Sequence, residues 1–462
     1  MNILFYIDPW IVCGNPKEFT PWLFSLERFI SNKQYRLHVC CGEYHLKDHH
    51  IKALKELCQI EISFIRQEEL REFCDSYIEA NRKDYTDSYT KDQLSKKVVL
   101  LKKKIGKFSP DIIIYCGGSG APFFKILYPG VPVLFKDFTM MQAPALYPLA
   151  YFLDICGIHN NSFLSKFHKE IKKLKFDQNV SDRFLSKLRE AYCKRIQLNN
   201  PITRKTLDPE NKFQYIIFLP LESSMVFNFF NHVGFVSQFD LICHILDKLD
   251  PRVGLVVKEH ISANKINTLS SGGIRYLRKK YPNFIYLEAL KDSLLGSHFL
   301  LALSDAVITV SCSLATQCLL WRKPFFIVGD FYMKHYSDGD NIENIVSVLD
   351  RGYQDKDSVL FYMLTHYYFL DSYWKDQGWF DKFLTKSIAL HGNIDIDFYS
   401  QIDDIEKILS RYLKYAESLK FKFYLKLERV SCKYRIIQSL LPVVKKIYQI
   451  YKEAKIRFAA KL

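Results

Sequence analysis

The sequence predicts an α/β protein: two doubly wound, Rossmann-like domains followed by a basic helical tail. Three observations carry that expectation. Short unbroken apolar runs, such as Ile112-Ile113-Ile114-Tyr115-Cys116, alternate with stretches of helical periodicity, which implies parallel sheets covered on both faces. The alternation stops at a polar connector, Gln197 to Asn211, and restarts beyond it. The cationic excess is concentrated at the end of the chain: from Ile405 to Leu462 fifteen Lys or Arg face four Glu, which accounts for +11 of a net +15.

In the first half, Ile3 to Ile7 reads as a strand, Thr20 to Ser31 as a helix, Tyr35 to Cys40 as a strand and Lys52 to Cys58 as a helix. A long polar helical region, Gln67 to Lys107, leads to the strand ending at Cys116, and Val131 to Phe135 forms another. Helical sequence from about Ser165 to Ile196 closes this domain, residues 1–200.

The second domain, residues 212–335, has strands at Tyr215–Leu219, Val253–Val257, Phe284–Tyr286, Ala306–Val310 and Phe325–Val328. Helices at Val236–Lys248, Ile274–Tyr281, Leu294–Leu303 and Leu314–Trp321 connect them. A helical return segment (336–404) and the tail (405–462) complete the chain.

At 462 residues, 48% hydrophobic and 15% aromatic, the chain can bury two cores, and its composition argues against extended disorder. Its start has no basic n-region, and no apolar run reaches the roughly 18–20 residues that span a bilayer. The expected location is cytoplasmic, peripheral on the inner face of the cytoplasmic membrane. Twelve cysteines include no CxxC pair, and Cys40, Cys41, His45, His49 and His50 match no zinc spacing, so structural thiols and no metal are expected.

In a doubly wound sheet, ligands bind where the carboxyl ends of the strands converge. Three loops of the second domain put polar groups there. Lys258-Glu259-His260 offers charge and a donor to phosphate, or is an ordinary polar loop. Ser311-Cys312-Ser313 opens a helix, where hydroxyls cap and backbone N–H groups bind phosphate. Glu222, in Leu219-Pro220-Leu221-Glu222, is open to three roles: catalytic carboxylate, ribose ligand or helix-terminal charge. In the first domain, Gly117-Gly118-Ser119-Gly120 follows a strand and is either a cleft-lining loop or a plain turn. The short segment Ala121 to Gly130 argues against a full crossover helix.

The order Leu219-Pro220-Leu221, Lys258-Glu259-His260, Ser311 to Ser313, Lys323-Pro324 and Gly329-Asp330 resembles the capsular polysaccharide biosynthesis family, which includes bacterial retaining β-Kdo transferases. Leu153 to His159 followed by Ser162 is similar to a further segment of that family. The resemblance covers roughly residues 111–333 and implies a GT-B-like fold, with two domains facing a cleft.

It further implies a glycosyltransferase without resident cofactor or metal, taking a nucleotide-sugar donor (CMP-Kdo first, UDP- or GDP-sugars next) to a glycan or glycolipid acceptor. His260, Ser311 and Ser313 would hold the donor, with Lys258 alongside. Relatives carry a Glu where this chain has Gln317, which can still bond a ribose hydroxyl. Asp137 stands nearest the family's acid loop as acid or base toward the acceptor, and Glu222 or Asp240 could form a covalent adduct. A non-catalytic scaffold of an assembly complex is the alternative. Asp338–Asp340, Asp355–Asp357 and Asp395–Asp397 are expected to be surface acids.

The tail interleaves apolar residues with Lys and Arg, which suits an anionic membrane surface. Packing is expected up to about Ser410 and docking beyond it. No nucleic-acid motif accompanies the charge, so no nucleic-acid partner is expected.

Overall fold

The first sheet grows from strands that are apolar on both faces, so each can be buried on both sides. They are β1 (Asn2–Ile7), β2 (Arg36–Gly42), β3 (Ile60–Ile65), β4 (Ile112–Cys116), β5 (Val133–Phe138) and β6 (Ala150–Asp154). The computed structural model describes residues 1–9, 35–43, 46, 60–74, 79, 83, 86–117, 120–138, 147–148, 150–222, 234–260, 269–374 and 376–433. The expected helices Thr20 to Ser31 and Lys52 to Cys58, the residues His45, His49, His50, Gly118 and Ser119, and the tail beyond Lys433 lie outside those described.

The sheet order is β12-β6-β5-β4-β1-β2-β3, where β12 is Phe369–Leu370 from the return segment. β3, β2, β1, β4 and β5 run parallel; β6 is antiparallel to β5, and β12 to β6. β3, β6 and β12 were not anticipated. A two-residue strand is too short to show a period, and Phe369 and Leu370 join the edge by pairing with Tyr151 and Ala150.

The polar region Gln67 to Lys107 is not one helix. It contains Gln67–Arg71 and α1 (Lys91–Ile105), whose start is fixed by Thr90, with Gln93 bonding back to the Thr90 N–H. The segment after the glycine loop does hold a crossover helix, α2 (Pro122–Leu127). Six residues with Pro at the first turn suffice to bring β5 parallel to β4. Beyond β6 the chain makes short turns, then α3 (Gln178–Arg189), which continues through a π turn, Glu190–Lys194, to Leu198.

The second sheet contains β7 (Tyr215–Pro220), β8 (Val253–Lys258), β9 (Phe284–Tyr286), β10 (Ala306–Thr309) and β11 (Phe325–Ile327), all parallel in the order β11-β10-β7-β8-β9. Its helices are α4 (Gln238–Lys248), α5 (Ser271–Lys280), α6 (Gly296–Leu303) and α7 (Leu314–Trp321). Both sheets therefore have the doubly wound order expected, and the two domains make a GT-B-like pair.

The two faces of the second sheet have different neighbours. Residues of α4 and α5, such as Leu241, Ile245 and Leu277, form a core of their own. Phe299 and Leu300 of α6 and Leu319 of α7 belong to the core that runs into the first domain. Arg189 ties that junction, donating to the Leu320 carbonyl at 2.9 Å and to both oxygens of Asp357 at 3.0 and 2.5 Å.

The return segment continues through α8 (Gln377–Ala389) to α9 (Ile405–Ala416) and α10 (Leu419–Lys433). Packing does not stop near Ser410. Tyr412, Ala416, Phe421, Leu425 and Glu428 are all buried, and the Tyr192 hydroxyl donates to the Tyr412 carbonyl at 2.6 Å.

Candidate functional site

The order of the second sheet reverses between β7 and β10, and the crevice at such a reversal is where open α/β sheets take ligands. Glu222 follows β7 and Ser311 follows β10, and the two meet there. The Ser311 N–H donates to Glu222 Oε1 at 2.7 Å, and its hydroxyl lies 2.9 Å from both carboxylate oxygens. Burial raises the Glu222 pKa, while the Ser311 donors pull it back. The Gln238 side-chain amide donates to the Glu222 carbonyl, which pins the loop to α4.

Lys258 ends β8 on the other side of β7. It is buried, and its ammonium donates to the Glu259 carbonyl at 3.0 Å. Its aliphatic stem lies against Gly296, where a Cβ would come within 2.5 Å of Lys258 Cε. Glu259 braces the same edge: its oxygens accept from the Leu269 N–H at 3.1 Å and the Tyr286 hydroxyl at 2.7 Å. His260 keeps an exposed edge, while surrounding protein atoms and the Lys258 charge hold its pKa below the ordinary imidazole value.

Ser313 stands at the start of α7 without a side-chain bond into the first turn. Gln317, one turn further, is buried beside His298 of α6. His298 was overlooked, because a single His in the run Phe299-Leu300-Leu301 gives no periodic signal. It is fully enclosed, with the Gln317 side chain as its polar neighbour. Burial, then the Lys258 charge, push its pKa down to about 3. Its ring lies 5.8 Å from that of Tyr147, which comes from the loop between β5 and β6 of the first domain. The carboxyl edges of the two sheets thus approach one another at this point.

The first sheet has its own reversal, between β1 and β4, and a second polar group that sequence reasoning missed. Asp8, just past β1, accepts from Lys97 and from the Tyr115 hydroxyl, each at 3.3 Å. Lys97 also reaches the Tyr89 hydroxyl at 3.1 Å. The glycine loop borders this group. A Cβ on Gly117 would fall 2.2 Å from the Tyr115 ring, and one on Gly120 would fall 1.8 Å from an Asp87 oxygen. Asp87 takes a left-handed backbone, φ 50°, and desolvation raises its pKa to about 6.

Other expected residues sit differently. Asp137 lies within β5, paired with Phe152, and not in a loop after the strand, because β5 runs on to Phe138. It belongs to the first sheet, apart from the Glu222, Lys258 and Ser311 group of the second. Asp240 accepts from the Ser237 hydroxyl at 2.7 Å at the start of α4, so it is a helix-capping partner.

Two supposed surface acids have buried side chains. Asp357 is clamped by Arg189 and Arg322, and Asp338 pairs with Lys356 at 2.6 Å and accepts from the Phe325 N–H at 3.0 Å. Among the described residues no three His, Cys, Asp or Glu side chains converge as a ligand set. Asp154 is a structural anchor, its oxygens accepting from the N–H groups of Cys156, Gly157 and Phe163 and from the Tyr367 hydroxyl.

No family model matches the chain, and no curated protein does. Among solved structures it is similar to a Thermosulfurimonas dismutans KpsC, a beta Kdo 2,7 transferase, at 12% identity over 79% of this chain and 92% of that one, TM-score 0.42. It is also similar to a Methanocaldococcus jannaschii UDP-GlcNAc 2-epimerase solved with UDP-GlcNAc and UDP, at 11% identity over 77% and 94%, TM-score 0.33. A Neisseria meningitidis UDP-GlcNAc 2-epimerase bound to UDP-GlcNAc aligns at 12% identity over 90% and 100%, TM-score 0.29. The doubly wound pair rests on the strand order itself, and these likenesses add no weight to any residue's role.

Proposed function

We propose that the protein is a glycosyltransferase that holds a nucleotide-sugar donor at the carboxyl edge of the second sheet and transfers its sugar to a surface-glycan acceptor. One observation carries the reading: the strand-order reversal brings Glu222 and Ser311 together just before the N-terminus of α7, with Lys258 and His260 at the end of the neighbouring strand β8. Backbone N–H groups at that terminus suit a phosphate, and Lys258 and His260 supply charge and a donor as negative charge builds on the leaving nucleotide. CMP-Kdo is the first donor to test, on the motif order of the chain, followed by UDP- and GDP-sugars.

Within this reading Glu222 braces the Ser311 loop, since both its oxygens are engaged. Asp137 remains the acid or base proposed for the acceptor hydroxyl, acting from the end of β5. The engagement of Glu222 also favours a second reading, a non-catalytic scaffold that keeps the fold without turnover.

A thermal-shift panel of CMP, CDP, UMP, UDP, GDP and ADP separates the two, with His260→Ala as control. Stabilisation by CMP, lost in the control, supports a CMP-sugar donor. Stabilisation by UDP or GDP keeps the transferase and changes the donor, and no response to any of them leaves the scaffold.

A further inference from the structure

We infer that the outward face of α10 is a membrane-docking surface for an anionic lipid bilayer, built into the folded body and not confined to the chain beyond it. Phe421, Leu425 and Glu428 point inward, spaced as one face of a helix. Phe421 meets Tyr192 at 5.6 Å between ring centroids, and Glu428 accepts from the Ser293 hydroxyl at 2.5 Å and the Leu294 N–H at 3.2 Å. The helix is therefore held by both domains, and its opposite face has a fixed direction.

That opposite face is apolar and cationic together. Leu419 is 86% exposed and Phe423 48%, one turn apart, with exposed Lys420, Lys422, Lys426 and Arg429 around them. Neither Leu419 nor Phe423 belongs to the buried face of α10. Leucine and phenylalanine between lysines fit the boundary between acyl chains and anionic headgroups.

The surface extends past the helix. Leu198, 70% exposed, lines a groove of about 360 Å³ with Lys187, Lys194, Arg195 and Glu417, and Glu417 lies two residues before Leu419. The sequence beyond Lys433 adds seven Lys or Arg against one Glu, so the charge of the whole end of the chain has the sign that an anionic leaflet attracts. This inference is independent of which nucleotide the second sheet takes.

The test uses the full chain and sedimentation with vesicles of phosphatidylcholine and phosphatidylglycerol in equal parts, against vesicles of phosphatidylcholine alone. The wild type should sediment with the anionic vesicles only, and salt should weaken the binding. Lys420→Glu/Lys422→Glu/Lys426→Glu should reduce partitioning by on the order of a hundredfold or more. Leu419→Ser/Phe423→Ser should reduce it with the charge intact. All five positions are exposed, and an unchanged melting temperature confirms that each variant folds.

Failure of the wild type to bind anionic vesicles overturns the inference, and so does wild-type binding by either variant. Equally tight binding to a random DNA duplex would show a general polyanion surface and also overturn it.

Discussion

The Ser311 hydroxyl reaches both oxygens of the Glu222 carboxylate at 2.9 Å while the Ser311 N–H donates to one of them at 2.7 Å, so a single carboxylate bridges β7 and β10 across the strand-order reversal. Removing either partner leaves buried polar groups unmatched. Ser311→Ala should cost about 1–2 kcal/mol, and Glu222→Ala about 2–4 kcal/mol, because the N–H and hydroxyl both lose their acceptor. Chemical denaturation of the two variants and of the double variant checks this. Shared loss predicts that the double variant is less destabilised than the sum, whereas strict additivity would contradict the bridge.

His298 should make the fold acid-sensitive. Its folded pKa, about 3, lies below the ordinary value near 6.5, so between those values the unfolded chain binds more protons. The stabilising contribution is complete above pH 6.5 and is lost as the pH falls toward 3. A shift of that size corresponds to roughly 5 kcal/mol at most. Replacing His298 with Phe should flatten the stability profile between pH 6.5 and 3, measured by urea unfolding at several pH values. An unchanged slope would show that the ring does not stay neutral in the folded state.

The clamp on Asp357 joins elements far apart in the chain, Arg189 of α3 and Arg322 at the end of α7. The carboxylate is buried, whereas the Arg322 side chain is half exposed, so solvent screens part of that attraction. Asp357→Asn should cost about 2–3 kcal/mol, and Arg322→Ala less than about 1 kcal/mol. Thermal melts of both variants test the ranking, and equal losses would place the stabilisation outside the Arg189 pair.

Much of this architecture was legible because period and burial agree. All five strands of the second sheet are short apolar runs between helices of ordinary length, and Leu314 to Trp321 was placed residue for residue. The meeting of Glu222 and Ser311 followed from strand ends, since a parallel sheet brings the ends of neighbouring strands together whatever lies between them. What escaped depends on distant contacts. Phe369 and Leu370 become a strand only because β6 offers them an edge. Asp8 and Lys97 are separated by 89 positions in the chain, and nothing local announces their pairing. Asp357 looked like a surface acid until two arginines from elsewhere enclosed it.

The glycine loop provides a test in which one substitution should repair another. A Cβ at position 120 would overlap the Asp87 carboxylate, so Gly120→Ala must displace Asp87 or the loop after β4. The expected cost is about 1–3 kcal/mol, the range for overpacking a well-filled site. Asp87→Gly removes the obstructing carboxylate and suits the left-handed backbone at that position, φ 50°, better than any side chain does. The double variant should therefore recover more than half of the stability lost by Gly120→Ala alone, read from denaturation midpoints. If Asp87→Gly gives no recovery, the carboxylate is not what excludes a side chain from position 120, and the closeness of α2 becomes the constraint to test next.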